Sequence, residues 1–200
     1  MERLQTLVAA TNNTHKLTEL IRLFPARRVV SPGELGVRFD FDEDGDTYLA
    51  NAYGKAMALY EQVRSPVLAD DSGLEVAALG GQPGIYSSRY GSTAAGKLSD
   101  PERNARLLES VRDARDRRCF FVCCMVLVVE PKRFLVAQET LHGVLAHAPA
   151  GSGGFGFDPV VFIPEAGKTV AQLSDAEKDR ISHRGRAAAR IAGALLALRD

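Results

Sequence analysis

Cysteine is scarce: Cys119, Cys123 and Cys124 are the three present, and all lie in one apolar run. An odd count without framework spacing argues against a secreted disulfide scaffold, so reduced, buried thiols in a cytoplasmic protein are expected. Neither charge is in excess, because 25 Lys and Arg balance 25 Asp and Glu. Polyanion binders normally carry a basic surplus, so a nucleic-acid polymer is a poor candidate partner, while a local site for a small phosphate ligand stays open. No apolar run approaches the roughly 20 residues that cross a membrane. The opening MERLQTLVAATNN has too short an apolar stretch and the wrong flanks for a signal peptide. Repeats and low-complexity segments are also missing.

The 200 residues are 46% hydrophobic and 25% charged. That suits a single domain over residues 1–200, and roughly 70% of the unfolded surface can be buried at this size. Residues 4–10 read as a short buried strand ending in Thr11-Asn12-Asn13. Helical spacing follows over 16–23, with Leu17, Leu20, Ile21 and Phe24 on one face and Pro25 as the stop. Residues 28–30 form a possible second strand, and 40–46 an acidic loop. Asp46 is the expected cap of a helix over 47–63, striped by Leu49, Ala52, Ala56, Leu59, Tyr60 and Val63. A buried strand over 67–69 should end at Asp70-Asp71-Ser72-Gly73, read as functional carboxylates at a strand end ahead of a plain turn, with another short strand at 74–79 and an ordered loop at 80–92. Ser99 or Asp100 caps a third helix, with Pro101 in its first turn. Residues 119–129 and 134–145 read as a long hairpin, 146–156 as a Gly-rich loop and 160–163 as a strand. Ser174 to Glu177 is a capping box, and a last helix begins near Arg184. The alternation gives a mixed α/β fold.

Several groups of residues suit phosphate chemistry. Thr11, Asn12, Asn13, Thr14, His15 and Lys16 lie between the first strand and first helix, where a helix N-terminus favours an anion. The glycines of a Walker loop are missing, and taken alone the segment fits a capped turn with a solvated lysine better. Asn51 and Lys55 share a helix face, either a solvated one or a second phosphate contact. Asp42, Glu43 and Asp44, with Asp70 and Asp71, supply the oxygen ligands that Mg2+ takes alongside phosphate. Gly151 to Gly156 contains G-x-G-x-x-G, but the following FDPVVF is strand-like, so a dinucleotide fingerprint is rejected in favour of a mobile loop presenting Phe155 to a base. Lys178, His183 and Arg184 cluster near a helix boundary, as caps or as donors to base and phosphate.

Taken in order, ATNNTHK, LADDSGLEV with GGQPGIYSSRYG, GSGGFGFDPVVF and LSDAEKDRISHRG resemble the inosine triphosphate pyrophosphatase family from Ala10 to Gly185. The resemblance implies a mixed α/β fold with an elongated sheet, flanking helices and two lobes around a central cleft, usually as a homodimer. It implies Mg2+-dependent hydrolysis of deaminated purine nucleoside triphosphates (ITP, dITP, XTP) to the monophosphate and pyrophosphate. By position, Thr11, Asn12, Asn13, Thr14, His15, Lys16 and Lys55 become polyphosphate-binding. Asp71 becomes the general base, joined at Mg2+ by Asp42 or Glu43, and Ser72 touches substrate. Phe155, Gly156, Phe157, Asp158, Lys178, His183 and Arg184 line the nucleoside pocket. Two positions depart from the family: Ala50 stands where a glutamate is frequent, and Phe157 where a tyrosine is common. Rival readings are a nucleotide-binding regulator without catalysis, a NAD-dependent oxidoreductase, and a pyrophosphatase for modified pyrimidine nucleotides.

Overall fold

The apolar runs become strands of one mixed sheet, and the helical stripes flank it. The computed structural model describes residues 4–93 and 96–197. Residues 1–3, where the stretch weighed against a signal peptide begins, lie outside it. In chain order the elements are β1 (Thr6–Ala9), α1 (Thr14–Leu23), β2 (Arg28–Val30), α2 (Tyr48–Val63), β3 (Val67–Val76), β4 (Pro83–Gly84) and α3 (Asp100–Ser110). There follow β5 (Arg118–Glu130), β6 (Arg133–Leu145), β7 (Val161–Ile163), β8 (Lys168–Thr169), α4 (Asp175–Ile181) and α5 (His183–Ala197). Hydrogen-bonded neighbours run β2-β1-β3-β5-β6-β7-β8, with β4 paired to β3. No helix among the described residues is long and apolar enough to cross a membrane.

The chain divides into two compact units, one of Met1–Asp71, Cys123–Glu139 and His183–Asp200, the other of Ser72–Val122 and Thr140–Ser182. In the first, β1 lies parallel to β2, with Leu7 opposite Val29, and parallel to β3, with Val8 opposite Val67. Leu7, Ala9 and Leu68 pack with Cys123, Met125 and Leu127 of β5 against Leu20 and Phe24 of α1 and Ala187, Ala188 and Ile191 of α5. Side chains alternate along a strand, so Asp70 shares the Leu68 face of β3 and Asp71 points the other way. Asn13 caps α1 by accepting from the N–H groups of His15 and Lys16. Thr47, not Asp46, caps α2, because its Oγ1 reaches the Ala50 N–H three residues on. Two expected stripe residues point outward: Ile21 is 49% and Leu49 45% exposed. Each sits about 100° around its helix from a buried neighbour, Leu20 or Tyr48.

In the second unit β4 runs antiparallel to β3, with Leu74 opposite Gly84, and β7 runs antiparallel to both β6 and β8. Leu74, Val76, Leu107, Phe121, Leu141, Leu145, Phe157 and Val161 form its core. The two short strands expected over 67–69 and 74–79 are instead one continuous β3 to Val76, with Asp70 to Gly73 within it, followed by a 3-10 turn at Ala77–Leu79. Gly73 serves close backbone approach rather than a turn, since a Cβ there would stand 2.1 Å from the Gly84 carbonyl oxygen. The expected capping box forms at α4, Ser174 with Glu177, and Ser99 rather than Asp100 caps α3, in a box with Glu102.

Candidate active site

Strand alternation gives two adjacent aspartates opposite environments. Asp70 is 2% exposed. Its Oδ2 accepts from Arg184 Nε at 3.2 Å and Arg184 Nη2 at 3.0 Å, and lies 3.2 Å from Lys16 Nζ. Arg184 Nη1 donates to Glu19 Oε2 at 2.7 Å, so α1, β3 and α5 meet in a buried set of alternating charges. Burial alone would raise the Asp70 carboxyl, but Lys16, Arg184 and Lys55 outweigh it and hold that group well below the usual carboxylate range. Asp70 therefore stays ionised and committed to its partners.

Asp71 faces α2. Its Oδ2 accepts from Asn51 Nδ2 at 3.0 Å, while Asn51 Oδ1 accepts from the Gly45 N–H at 2.8 Å. One buried amide thus ties the acidic loop to the aspartate. A Cβ on Gly45 would come 2.7 Å from Asn51 Oδ1, so the loop needs glycine there. Burial, and then the charge of Glu43, push the Asp71 carboxyl up, against the downward pull of Asn51, Lys16 and Lys55. Glu43 is paired with Lys55, which is itself buried. The solvated alternative for Asn51 and Lys55 is thereby overturned: these polar side chains are buried because each meets a partner. Of the acidic-loop carboxylates, Glu43 is the one whose charge acts on Asp71, while Asp42 is exposed. Ala50 is exposed beside this loop. Asp71 and Glu43 are mutually repelling carboxylates, a donor set that suits a hard cation, and Asp70 Oδ1 is a buried acceptor with no hydrogen-bond partner among the described residues.

The segment before α1 is more self-satisfied than its sequence suggests. Asn13 Oδ1 accepts from the N–H groups of His15 and Lys16 at 2.9 and 3.2 Å, and Asn12 Nδ2 donates to the Phe39 carbonyl at 2.8 Å. The Asn13 N–H in turn donates to Thr11 Oγ1 at 3.1 Å. Asn12, Asn13, Thr14 and His15 are exposed, and Thr11 and Lys16 are half-buried. What remains for an anion is the dipole of α1 and the Lys16 ammonium. Ser72 follows Asp71 along β3 and is half-buried.

In the second unit Asp158 organises the Gly-rich loop. Its Oδ2 accepts from the Phe155 N–H at 2.9 Å and from Lys178 Nζ at 2.6 Å, and Lys178 Nζ lies 5.0 Å from the centre of the Phe155 ring. A Cβ on Gly154, whose φ is +69°, would stand 2.0 Å from that same oxygen. Phe157 is a core group, edge-on to Tyr90 at 6.5 Å. The expected mobile loop is thus pinned at its end. Its glycines lead into one 3-10 turn and β7, so the dinucleotide-binding reading fails on structure as well. Lys178, Asp158 and Phe155 come together as the sequence suggested. Arg184, expected beside them, directs its guanidinium to Asp70 and Glu19, and His183 is buried at the start of α5. Sequence reasoning missed Glu19 and the Asp70–Arg184 pair. The available signal was a carboxylate set between apolar positions of α1.

Residues 7–194 match the model of the Ham1 family. A "dITP/XTP pyrophosphatase" of Treponema denticola is 46% identical over 89% of this chain and 92% of its own length. Two solved structures share the fold. The Ham1 protein of Staphylococcus aureus is 39% identical with a TM-score of 0.82, over 96% of this chain and 98% of that one. A HAM1 protein from Coxiella burnetii is 35% identical with a TM-score of 0.85, over 96% and 99%. The match spans both the Asp70–Asp71 segment and the Gly-rich loop, and the chain belongs to the Ham1 family.

Proposed function

We propose that the chain hydrolyses deaminated purine nucleoside triphosphates (ITP, dITP and XTP) to the monophosphate and pyrophosphate, the activity that the name of its Treponema denticola relative carries. One observation bears most of the weight: neighbouring aspartates of β3 are driven apart, Asp70 fixed as an anion and Asp71 raised toward a protonatable base. Asp71 orients the attacking water at the α-phosphorus and takes its proton. Its Oδ2 bond to Asn51 holds the carboxylate in place for that transfer. Lys16 and Lys55 neutralise the polyphosphate, and the N-terminus of α1 adds its dipole. Thr11 to His15 and Ser72 complete the polyphosphate contacts.

Mg2+ fits the carboxylates present, with Asp71 and Glu43 as its holders in preference to Asp42. When bound it would screen phosphate charge and stabilise the pyrophosphate leaving group. Glu43, paired with Lys55 here, would help hold that cation, and Lys55 supplies positive charge for the phosphates. Phe155, Gly156 and Asp158 take the nucleoside with Lys178 and His183, on a support that includes Phe157. Arg184 serves by holding Asp70 rather than by touching the base. A buried cation such as Lys178 meets the O6 acceptor of hypoxanthine or xanthine but is left facing the amino group of adenine. A mismatch of that kind is rejected by roughly 10⁴-fold or more. The reading includes a homodimer in the cytoplasm acting on free nucleotides rather than nucleic acid, supported by the resemblance, the buried thiols and the balanced charge. The test is kcat/KM for inosine, xanthosine, guanosine and adenosine triphosphates. Inosine and xanthosine forms should lead, guanosine fall well behind and adenosine approach zero. Comparable values for the adenosine and inosine forms would overturn the pocket.

A further inference from the structure

The glycine-rich stretch 151–156 should be the loosest part of the chain, since each glycine brings extra backbone freedom that ordering must remove. Its last residues are fixed instead. The Phe155 N–H donates to Asp158 Oδ2 at 2.9 Å, and the Phe155 carbonyl accepts from the Asp158 N–H at 3.2 Å. The Gly156 N–H donates to Asp100 Oδ2 at 2.5 Å, and the Gly156 carbonyl accepts from Asn104 Nδ2 at 3.0 Å. Asp100 and Asn104 are one turn apart on α3, so a single helix face grips both polar groups of one residue.

The grip is built in. Asn104 is 3% exposed, and its Oδ1 has no hydrogen-bond partner among the described residues. A buried amide used on its donor side alone is costly, and an apolar side chain would serve better if packing were its whole task. Asp100 is paired with Arg103, whose Nη1 donates to the carbonyls of Ser88 at 3.0 Å and Leu98 at 3.2 Å. The clamp is thereby anchored to the segment preceding α3 as well.

We propose that Asp100 and Asn104 are positioning residues for nucleoside recognition, acting through Gly156. By fixing the peptide groups around Phe155 they set its ring over Lys178 and keep the Asp158–Lys178 pair in register with it. The proposal rests on the nucleoside-pocket reading above. It makes base selection depend on a helix whose own side chains need not touch the base.

The experiment compares wild type with Asn104→Ala, using inosine and adenosine triphosphates as substrates and inorganic tripolyphosphate as a competitive inhibitor. The expected result is a KM for inosine triphosphate raised roughly tenfold, the weight of one hydrogen bond, with kcat within about twofold. The preference for inosine over adenosine narrows. The inhibition constant of tripolyphosphate, which has no base, stays unchanged. Hydrogen exchange in peptides covering 153–158 speeds up by a similar factor. Asp100→Asn, which keeps shape but weakens the acceptor, shows smaller shifts in the same direction and serves if the alanine variant fails to fold. An unchanged KM beside faster exchange would overturn the recognition role. Unchanged exchange would overturn the clamp. Equal weakening toward tripolyphosphate would mean general loosening and also overturn it. Failure of the wild type to release pyrophosphate from any nucleotide would remove the functional reading instead, and exchange would still report on the clamp.

Discussion

Replacing Arg184 by methionine isolates the buried charge set. The side chain is 2% exposed, and its nitrogens lie 2.7 Å from Glu19 Oε2 and 3.0 and 3.2 Å from Asp70 Oδ2. Methionine roughly fills the space but leaves Glu19 and Asp70 without that cation. Removing one partner of a buried pair costs about 3–5 kcal/mol. For a chain of this size each kcal/mol moves Tm by about 2–4 °C, so Arg184→Met should melt roughly 6–20 °C lower near neutral pH. In wild type the folded-state value of Asp70 is depressed. The stability it gives is present above the ordinary 3.8 and is lost as pH falls through the lowered value. In the variant the pull of Arg184 is gone and the Asp70 carboxyl rises from its depressed value. The cost of leaving Asp70 ionised without Arg184 is relieved as pH falls and that carboxyl takes up a proton. The Tm gap should therefore narrow on acidification, and adding Glu19→Gln should recover part of the loss. Circular dichroism melts of metal-free protein from about pH 7 down to about pH 4 provide the assay. A neutral-pH gap below about 2 °C, or one that widens in acid, would refute the charge-set reasoning.

Lys16→Met and Lys55→Met should each raise KM for inosine triphosphate by roughly 10- to 100-fold, the worth of a hydrogen bond to a charged group; an unchanged KM in initial-rate measurements would remove that lysine from the phosphate grip. Burial pushes the Cys119 thiol up to about 12 and the Cys124 thiol up to about 11, and Cys123 is raised as well. A thiol reagent near pH 8 should therefore label all three no faster than the chain unfolds, and rapid labelling of native protein would contradict their burial.

What the sequence made legible was local. The capping box at Ser174, the cap of α3 at Ser99, the apolar strands and the order of the motifs all follow from near neighbours, and they appear as expected. The errors lie where distant residues supply the missing partner. Asp70-Asp71-Ser72-Gly73 has the composition of a turn, yet it stays extended because Arg184, Lys16 and Asn51 satisfy the aspartates from far along the chain. Asn51 and Lys55 were ambiguous on their helix for the same reason, since nothing nearby in sequence reveals that Asp71 and Glu43 await them. The clamp on Gly156 was invisible too: Asp100 reads as a helix cap, and Asn104 as one more polar position on α3.

The central claim is that Asp71 directs water to the α-phosphorus of a bound nucleoside triphosphate. The most direct measurement is chromatography of the early products of inosine triphosphate, with wild type and Asp71→Asn compared in the presence of Mg2+. Wild type should give monophosphate and pyrophosphate in equal amounts with no diphosphate, and Asp71→Asn should give the same products more slowly by roughly 10²- to 10⁴-fold. Diphosphate and orthophosphate as first products, or a near-normal rate in Asp71→Asn, would contradict it.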